Sequence, residues 1–140
     1  MLYKKRRQNL KKYAREFINM VRQDFPKIPI TSDTPTLKFY RFSVCVPAST
    51  PGLEYAEKTA EGKPIINGQY YNGIIEIYGI TERKPAELRE TVRHECIHFL
   101  LDKSGLPYKD TDELFMLLAI FYNAQPAGIL ENVSTCTQRI

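Results

Sequence analysis

His94-Glu95-Cys96-Ile97-His98 holds both histidines of the chain and reads H-E-x-x-H. On a helix, positions four apart overlie each other, so the two imidazoles share one face, one turn apart. That spacing suits two corners of a tetrahedral zinc site, each at roughly 2.0–2.1 Å. Glu95 follows the first histidine and would reach past it toward a metal-activated water as general base. The pentapeptide therefore predicts one Zn2+ ion, with His94 and His98 as ligands and Glu95 as the catalytic group.

The surrounding residues support a helix. Pro85 suits a first helical turn, Gly105 a C-terminal stop, and Pro107 prevents continuation, which predicts a helix over 85–104. After His94 the side chains are apolar nearly all round (Ile97, Phe99, Leu100, Leu101), as in a helix at the centre of a domain. Leu114, Phe115, Leu117, Leu118, Phe121 and Tyr122 predict another core helix over 111–123, ended by Pro126. Upstream, residues 74–80 alternate in part between glycines and read as a strand, and 37–46 read as another. Asn67-Gly68 and Asn72-Gly73 are both hairpin signals. Residues 48–62 read as a long loop in which 53–60 could be a short helix. Leu10, Tyr13, Ala14, Phe17, Val21 and Phe25 recur at helical spacing, giving a basic amphipathic N-terminal helix over 1–25. The tail, 127–140, reads as irregular. The fold class is α+β in a single domain over 1–140: an N-terminal helix, a small mixed sheet, the central H-E-x-x-H helix and a C-terminal helix.

A catalytic zinc takes three protein ligands and keeps one position open. With no third histidine, the third ligand must come from another residue type, and Tyr108-Lys109-Asp110-Thr111-Asp112-Glu113 supplies carboxylates just past the helix stop. Asp112 would share a helix face with Phe115 and is the first choice; Glu113 and Asp110 are the alternatives. Asp110 and Glu113 also have capping-box spacing, a purely structural explanation for both. Cys96 points off the histidine face and reads as a small core residue. Were residues 74–80 a sheet edge, Ile74, Ile75, Glu76, Ile77 and Tyr78 could hold an extended peptide by strand addition. Tyr108, Tyr70 and Tyr71 are candidates for oxyanion support.

The composition is 43% hydrophobic and 26% charged, with no apolar run approaching the ~20 residues that span a bilayer. No apolar stretch follows the basic N-terminus, and the cysteines (Cys45, Cys96, Cys136) are odd in number and far apart. These features predict a cytoplasmic protein with free thiols and no membrane partner. The net charge of +4 is uneven: Lys4, Lys5, Arg6, Arg7, Lys11, Lys12 and Arg15 put +7 into the first fifteen residues, leaving −3 for the rest. Residues 4–15 could contact DNA; the plainer alternative is a solvated helix face.

The run Leu88-Arg89-Glu90-Thr91-Val92-Arg93-His94-Glu95-Cys96-Ile97-His98-Phe99-Leu100 resembles the active-site helix of SprT-like metallopeptidases. Gly105-Leu106-Pro107 followed by Asp110-Thr111-Asp112-Glu113-Leu114-Phe115 resembles the continuation in compact bacterial and phage-type members. The resemblance covers about residues 72–125 and implies a zincin-like fold, protein or peptide substrates, and an association with DNA-linked protein turnover. Better-known SprT-like proteins place a third histidine shortly before a phenylalanine, where this chain has Asp or Glu, and three cysteines cannot build that family's zinc ribbon. ImmA/IrrE-like peptidases, which pair H-E-x-x-H with a Glu on the next helix, are the second resemblance, with Glu113 and Pro126 in those parts. Both imply a zinc-dependent metallopeptidase. The other classes are a catalytically silent zincin-fold binding module and a basic nucleic-acid adaptor with a structural metal.

Overall fold

In a computed structural model, residues 2–51, 53 and 57–124 are described. The tail expectation over 127–140, the stop at Pro126 and Cys136 lie outside these residues, as do 52 and 54–56 of the loop. Leu10, Ala14, Phe17, Ile18 and Val21 recur on one face of α1 (Leu2–Asp24), and all five are buried. That face packs on α2 (Pro85–Lys103), whose buried residues run from Leu88 through Leu101. α2 stops as its sequence predicts: Gly105 N–H donates to Asp102 O at 3.0 Å and Leu106 N–H to Leu101 O at 2.9 Å, a Schellman motif. α3 (Glu113–Phe121) closes the core with Phe115 and Ala119. Among the described residues no helix is long and apolar enough to cross a membrane.

The sheet is small and mixed. β1 (Thr36–Phe39) runs parallel to β5 (Ile74–Ile77), and β4 (Gly68–Tyr71) runs antiparallel to it, in the order β1-β5-β4. β2 (Val44–Cys45) and β3 (Ile65–Ile66) form a separate antiparallel ribbon. The strand expected over 37–46 is thus two pieces. Its second half does not face the core: Phe42 is 67% exposed, and Val44 turns to pair with Ile66. Of the two hairpin signals, Asn72-Gly73 makes the turn. Both residues have positive φ, 48° and 81°, as a two-residue type I′ turn requires. Lys58 bridges to Pro64, which excludes a helix through that half of 53–60.

β5 is a central strand, which corrects the expectation that Ile74, Ile75, Glu76, Ile77 and Tyr78 form a substrate-binding edge. With β1 on one side and β4 on the other, its backbone has no free side. The edges are β1 and β4, and β4 is the one that packs against α2. Tyr78 N–H donates to Asn67 O at 3.0 Å. By antiparallel alternation, Gln69 and Tyr71 then bond toward β5, and Gly68 and Tyr70 turn their peptide groups outward.

Ile75 and Ile77 point into the core, so Glu76 lies on the far face of the sheet, where it is 8% exposed. Its Oε1 accepts from Tyr78 and from Gln69 Nε2 at 3.2 Å; its Oε2 accepts from Tyr71 at 2.8 Å and Tyr40 at 3.1 Å. Burial pushes this carboxyl's pKa up, but the donors outweigh it and hold the group below its usual range. A depressed carboxylate stabilises the fold above the unfolded value of about 4.5, and that contribution is lost as pH falls through the lower folded value. Glu76→Gln should cost about 1–3 kcal/mol at pH 7. In denaturant titrations from pH 7 to 3, the gap from wild type should narrow on the acid side; a gap that widens would contradict this role.

Candidate metal centre

The two histidines stand on the buried face of α2, as the four-residue spacing requires. Their Nε2 atoms are 3.2 Å apart. Each ring is fixed from behind by a backbone carbonyl. His94 Nδ1 pairs with Ala124 O at 2.9 Å, and His98 Nδ1 pairs with Tyr108 O. A carbonyl only accepts, so Nδ1 carries the proton in each ring and a neutral imidazole keeps its Nε2 lone pair facing the centre. Phe115 supports both: it stacks on His98 at 4.0 Å between centroids and meets His94 edge-on at 4.9 Å.

The two carbonyls come from helix ends. The turn after Gly105 launches the loop that carries Tyr108. At the end of α3, Asn123 takes φ 55°, its N–H donates to Ile120 O at 3.2 Å, and Ala124 N–H donates to Ala119 O at 2.7 Å. This second Schellman motif presents the Ala124 carbonyl to His94. Arg93, one residue before His94, clamps the same turn through Asn123 O at 2.8 Å and also donates to the Tyr13 hydroxyl at 2.7 Å. Neither carbonyl is legible in the sequence, because a backbone acceptor has no residue-type signature.

The acidic stretch is placed differently from the expectation. Asp110 Oδ1 lies 3.1 Å from His94 Nε2 and 2.8 Å from His98 Nε2. Asp112, the first choice, turns its Oδ2 back to accept from Lys109 N–H at 2.8 Å. It is the extended N-cap of α3 rather than part of the helix, so it shares no helical face with Phe115. Glu113 begins α3 and is exposed. The capping-box reading of Asp110 and Glu113 fails too, since Asp112 holds the N-cap position.

Glu95 is 5% exposed, with Oε2 3.9 Å from His94 Nε2. His94, Glu95 and His98 form a buried group whose ligand atoms lie within 4.8 Å of one another, and such a group can hold a metal ion. The electrostatics favour a cation. Burial pulls the His94 pKa down, but the Glu95 charge, Asp110 and the Ala124 carbonyl outweigh it and lift it to about 9. Burial raises the Glu95 pKa, against the pull of the two histidines. Asp110 is held well below the usual carboxylate range: burial pushes it up, and hydrogen bonds from the Nε2–H groups of the two rings in their protonated form pull it further down. Cys96 is fully buried behind this face, in the core.

β4 runs alongside the site because residue 68 is a glycine. A Cβ there would stand 2.7 Å from Thr91 Cγ2, 2.9 Å from Glu76 O and 3.3 Å from Glu95 Cγ. Two residues on, the Tyr70 ring lies parallel to His98 at 6.3 Å. The Tyr70 hydroxyl donates to Asp102, and the Tyr71 hydroxyl donates to Glu76 across the sheet. Neither is available as an oxyanion donor. Tyr108 is 36% exposed and meets Tyr70 edge-on at 6.1 Å, so it alone of the three keeps that candidacy.

Comparison with protein-family models, with curated proteins and with solved structures returned no match.

Gly68→Ala should push β4 off α2 beside Glu95 and destabilise the protein by about 1–3 kcal/mol. Amide hydrogen exchange of residues 67–71 should quicken more than that of α1. Equal exchange at both would show that the close approach is unimportant.

Proposed function

We propose that the protein is a zinc-dependent metallopeptidase, with His94, His98 and Asp110 holding one zinc ion and Glu95 as general base. The convergence of two Nε2 atoms and one carboxylate oxygen, with both Nδ1 atoms locked, carries this reading. Three tetrahedral donors at ~2.0–2.1 Å from one ion stand about 3.3–3.4 Å from each other. The donor separations here are 3.2, 3.1 and 2.8 Å. The residues present therefore fit a three-ligand site built from two imidazoles and one carboxylate. Zinc, when bound, supplies a Lewis acid for a carbonyl oxygen and lowers the pKa of water toward ~7.

The protein's own groups supply the rest. Glu95 has a desolvated carboxylate one residue from a ligand, placed to take a proton on Oε2 from an attacking water and return it to a leaving amine. An extended peptide would add to the open edge of β4, pairing with the outward peptide groups of Gly68 and Tyr70. Its backbone would then run beside Gly68, which borders Glu95. Strand addition selects main chain rather than side chains, so the substrate class is unfolded or extended protein. Within this reading, a zincin-like assignment is favoured by the H-E-x-x-H helix packed under a sheet with an antiparallel edge strand. The SprT-like resemblance is favoured over the ImmA/IrrE-like one, because the near carboxylate precedes α3 in the loop and Glu113 is turned out.

Metal analysis with activity against a disordered protein tests this. Glu95→Gln should retain one zinc per chain and lose at least ~100-fold in cleavage. His94→Ala and Asp110→Ala should each lose the metal, since even outer-shell partners of a ligand are worth ~10–100-fold in affinity. Asp112→Ala should keep it. Zinc retained in Asp110→Ala, or full cleavage by Glu95→Gln, would refute the assignment.

A further inference from the structure

The charge of α1 works against its own helix. Lys4, Lys5, Arg6 and Arg7 fill its start, where the helix dipole favours acids, and its first turn contains none. Lys4–Arg7, Arg7–Lys11, Lys11–Arg15 and Lys12–Arg15 are like charges at three- or four-residue spacing, each mildly destabilising. Solvated helix faces commonly interleave both signs, and this one carries a single sign through residue 15. Among the described residues, the one ion pair of this stretch joins Lys12 to Glu16 at 3.9 Å, with both side chains well exposed.

Packing keeps this charge outside. Lys4, Lys5, Lys11, Lys12 and Arg15 are exposed, because the apolar face of α1 is committed to the core. The basic face borders a cavity of about 260 Å3 between α1 and the start of α2, lined by Arg6, Asn9, Lys12, Glu16, Pro85 and Arg89 among others. Arg6 is fixed there by two neutral acceptors, Ile80 O at 2.9 Å and Arg83 O at 2.7 Å, so its charge is held in place without being neutralised.

We propose that this face, from Lys4 to Arg15 and across the groove to Arg89, docks the phosphate backbone of a nucleic acid. The segment spans about 16 Å at 1.5 Å per residue. A duplex carries one charge per ~1.7 Å of axis, so several phosphates fall within reach. Gln8 and Asn9, exposed among the bases, add amide donors of the kind that bind phosphate oxygens. A lipid surface fits less well: a helix lying in a membrane interface buries its apolar face there, and α1 has already buried its own. The contact is independent of sequence and does not involve the metal centre.

Fluorescence anisotropy of the full chain with a labelled duplex of about 20 base pairs, at salt from about 50 to 200 mM, tests the proposal. Affinity should fall as salt rises, with a log–log slope of about −3 to −4 if four phosphates are neutralised at ~−0.9 each. The Lys4→Gln/Lys11→Gln/Arg15→Gln variant, which relieves repulsion within the helix, should bind at least ten-fold more weakly while keeping its metal content. Lys4→Arg/Lys11→Arg should bind as wild type. Binding absent at the ~10−4 M end of the non-specific range, unchanged in the Gln variant, or seen only on phosphatidylglycerol vesicles would overturn it.

Discussion

Everything at the candidate metal centre depends on two backbone carbonyls. His94 and His98 are buried, and a buried imidazole whose ring nitrogens lacked partners would cost free energy. Ala124 O and Tyr108 O satisfy the inner nitrogens and fix both rings at once. Each carbonyl is delivered by a helix-ending turn, so the geometry of the site is set by where α2 and α3 stop. Gly105 ends α2 and starts the loop that carries Tyr108 and Asp110; Asn123 ends α3 and presents Ala124. Phe115, with no exposed surface, fills the space under both rings and joins the two turns into one support.

The sheet answers to the same helix from the other side. Gly68 brings β4 into contact with Thr91 and Glu95, and Arg83 ties Asn67 O, Tyr78 O, Glu87 O and the Thr91 hydroxyl together. On the far face, Glu76 gathers donors from β4 and from the residues just after β5 and β1. The edge strand is thus held by a steric fit on one face and a charged hydrogen-bond network on the other. A rigid edge is what strand addition needs, because ordering it during binding would weaken affinity.

Local chemistry was legible in the sequence, and long-range chain paths were not. The H-E-x-x-H face and the stop at Gly105 depend on residues within a turn or two of each other, and both stand where the spacing puts them. The third carboxylate depends on how residues 105–112 run, and Asp112 is turned away by one hydrogen bond to Lys109 N–H. The alternation of residues 74–77 is the same for an edge and for a centre. Nothing local marks Glu76 as buried, yet it lies under Tyr71, Tyr78 and Tyr40, the last of them 36 residues away in sequence. Asn67-Gly68 carries a hairpin signature, but its glycine is required by the closeness of α2, which no local window contains.

The most direct measurement is X-ray absorption at the zinc edge of the metal-loaded protein. Coordination by His94, His98 and Asp110 predicts a first shell of nitrogen and oxygen alone, with two imidazoles and all distances near ~2.0–2.1 Å. A sulfur scatterer at ~2.3 Å would put a cysteine at the metal and contradict the site, as would a shell with fewer than two imidazoles.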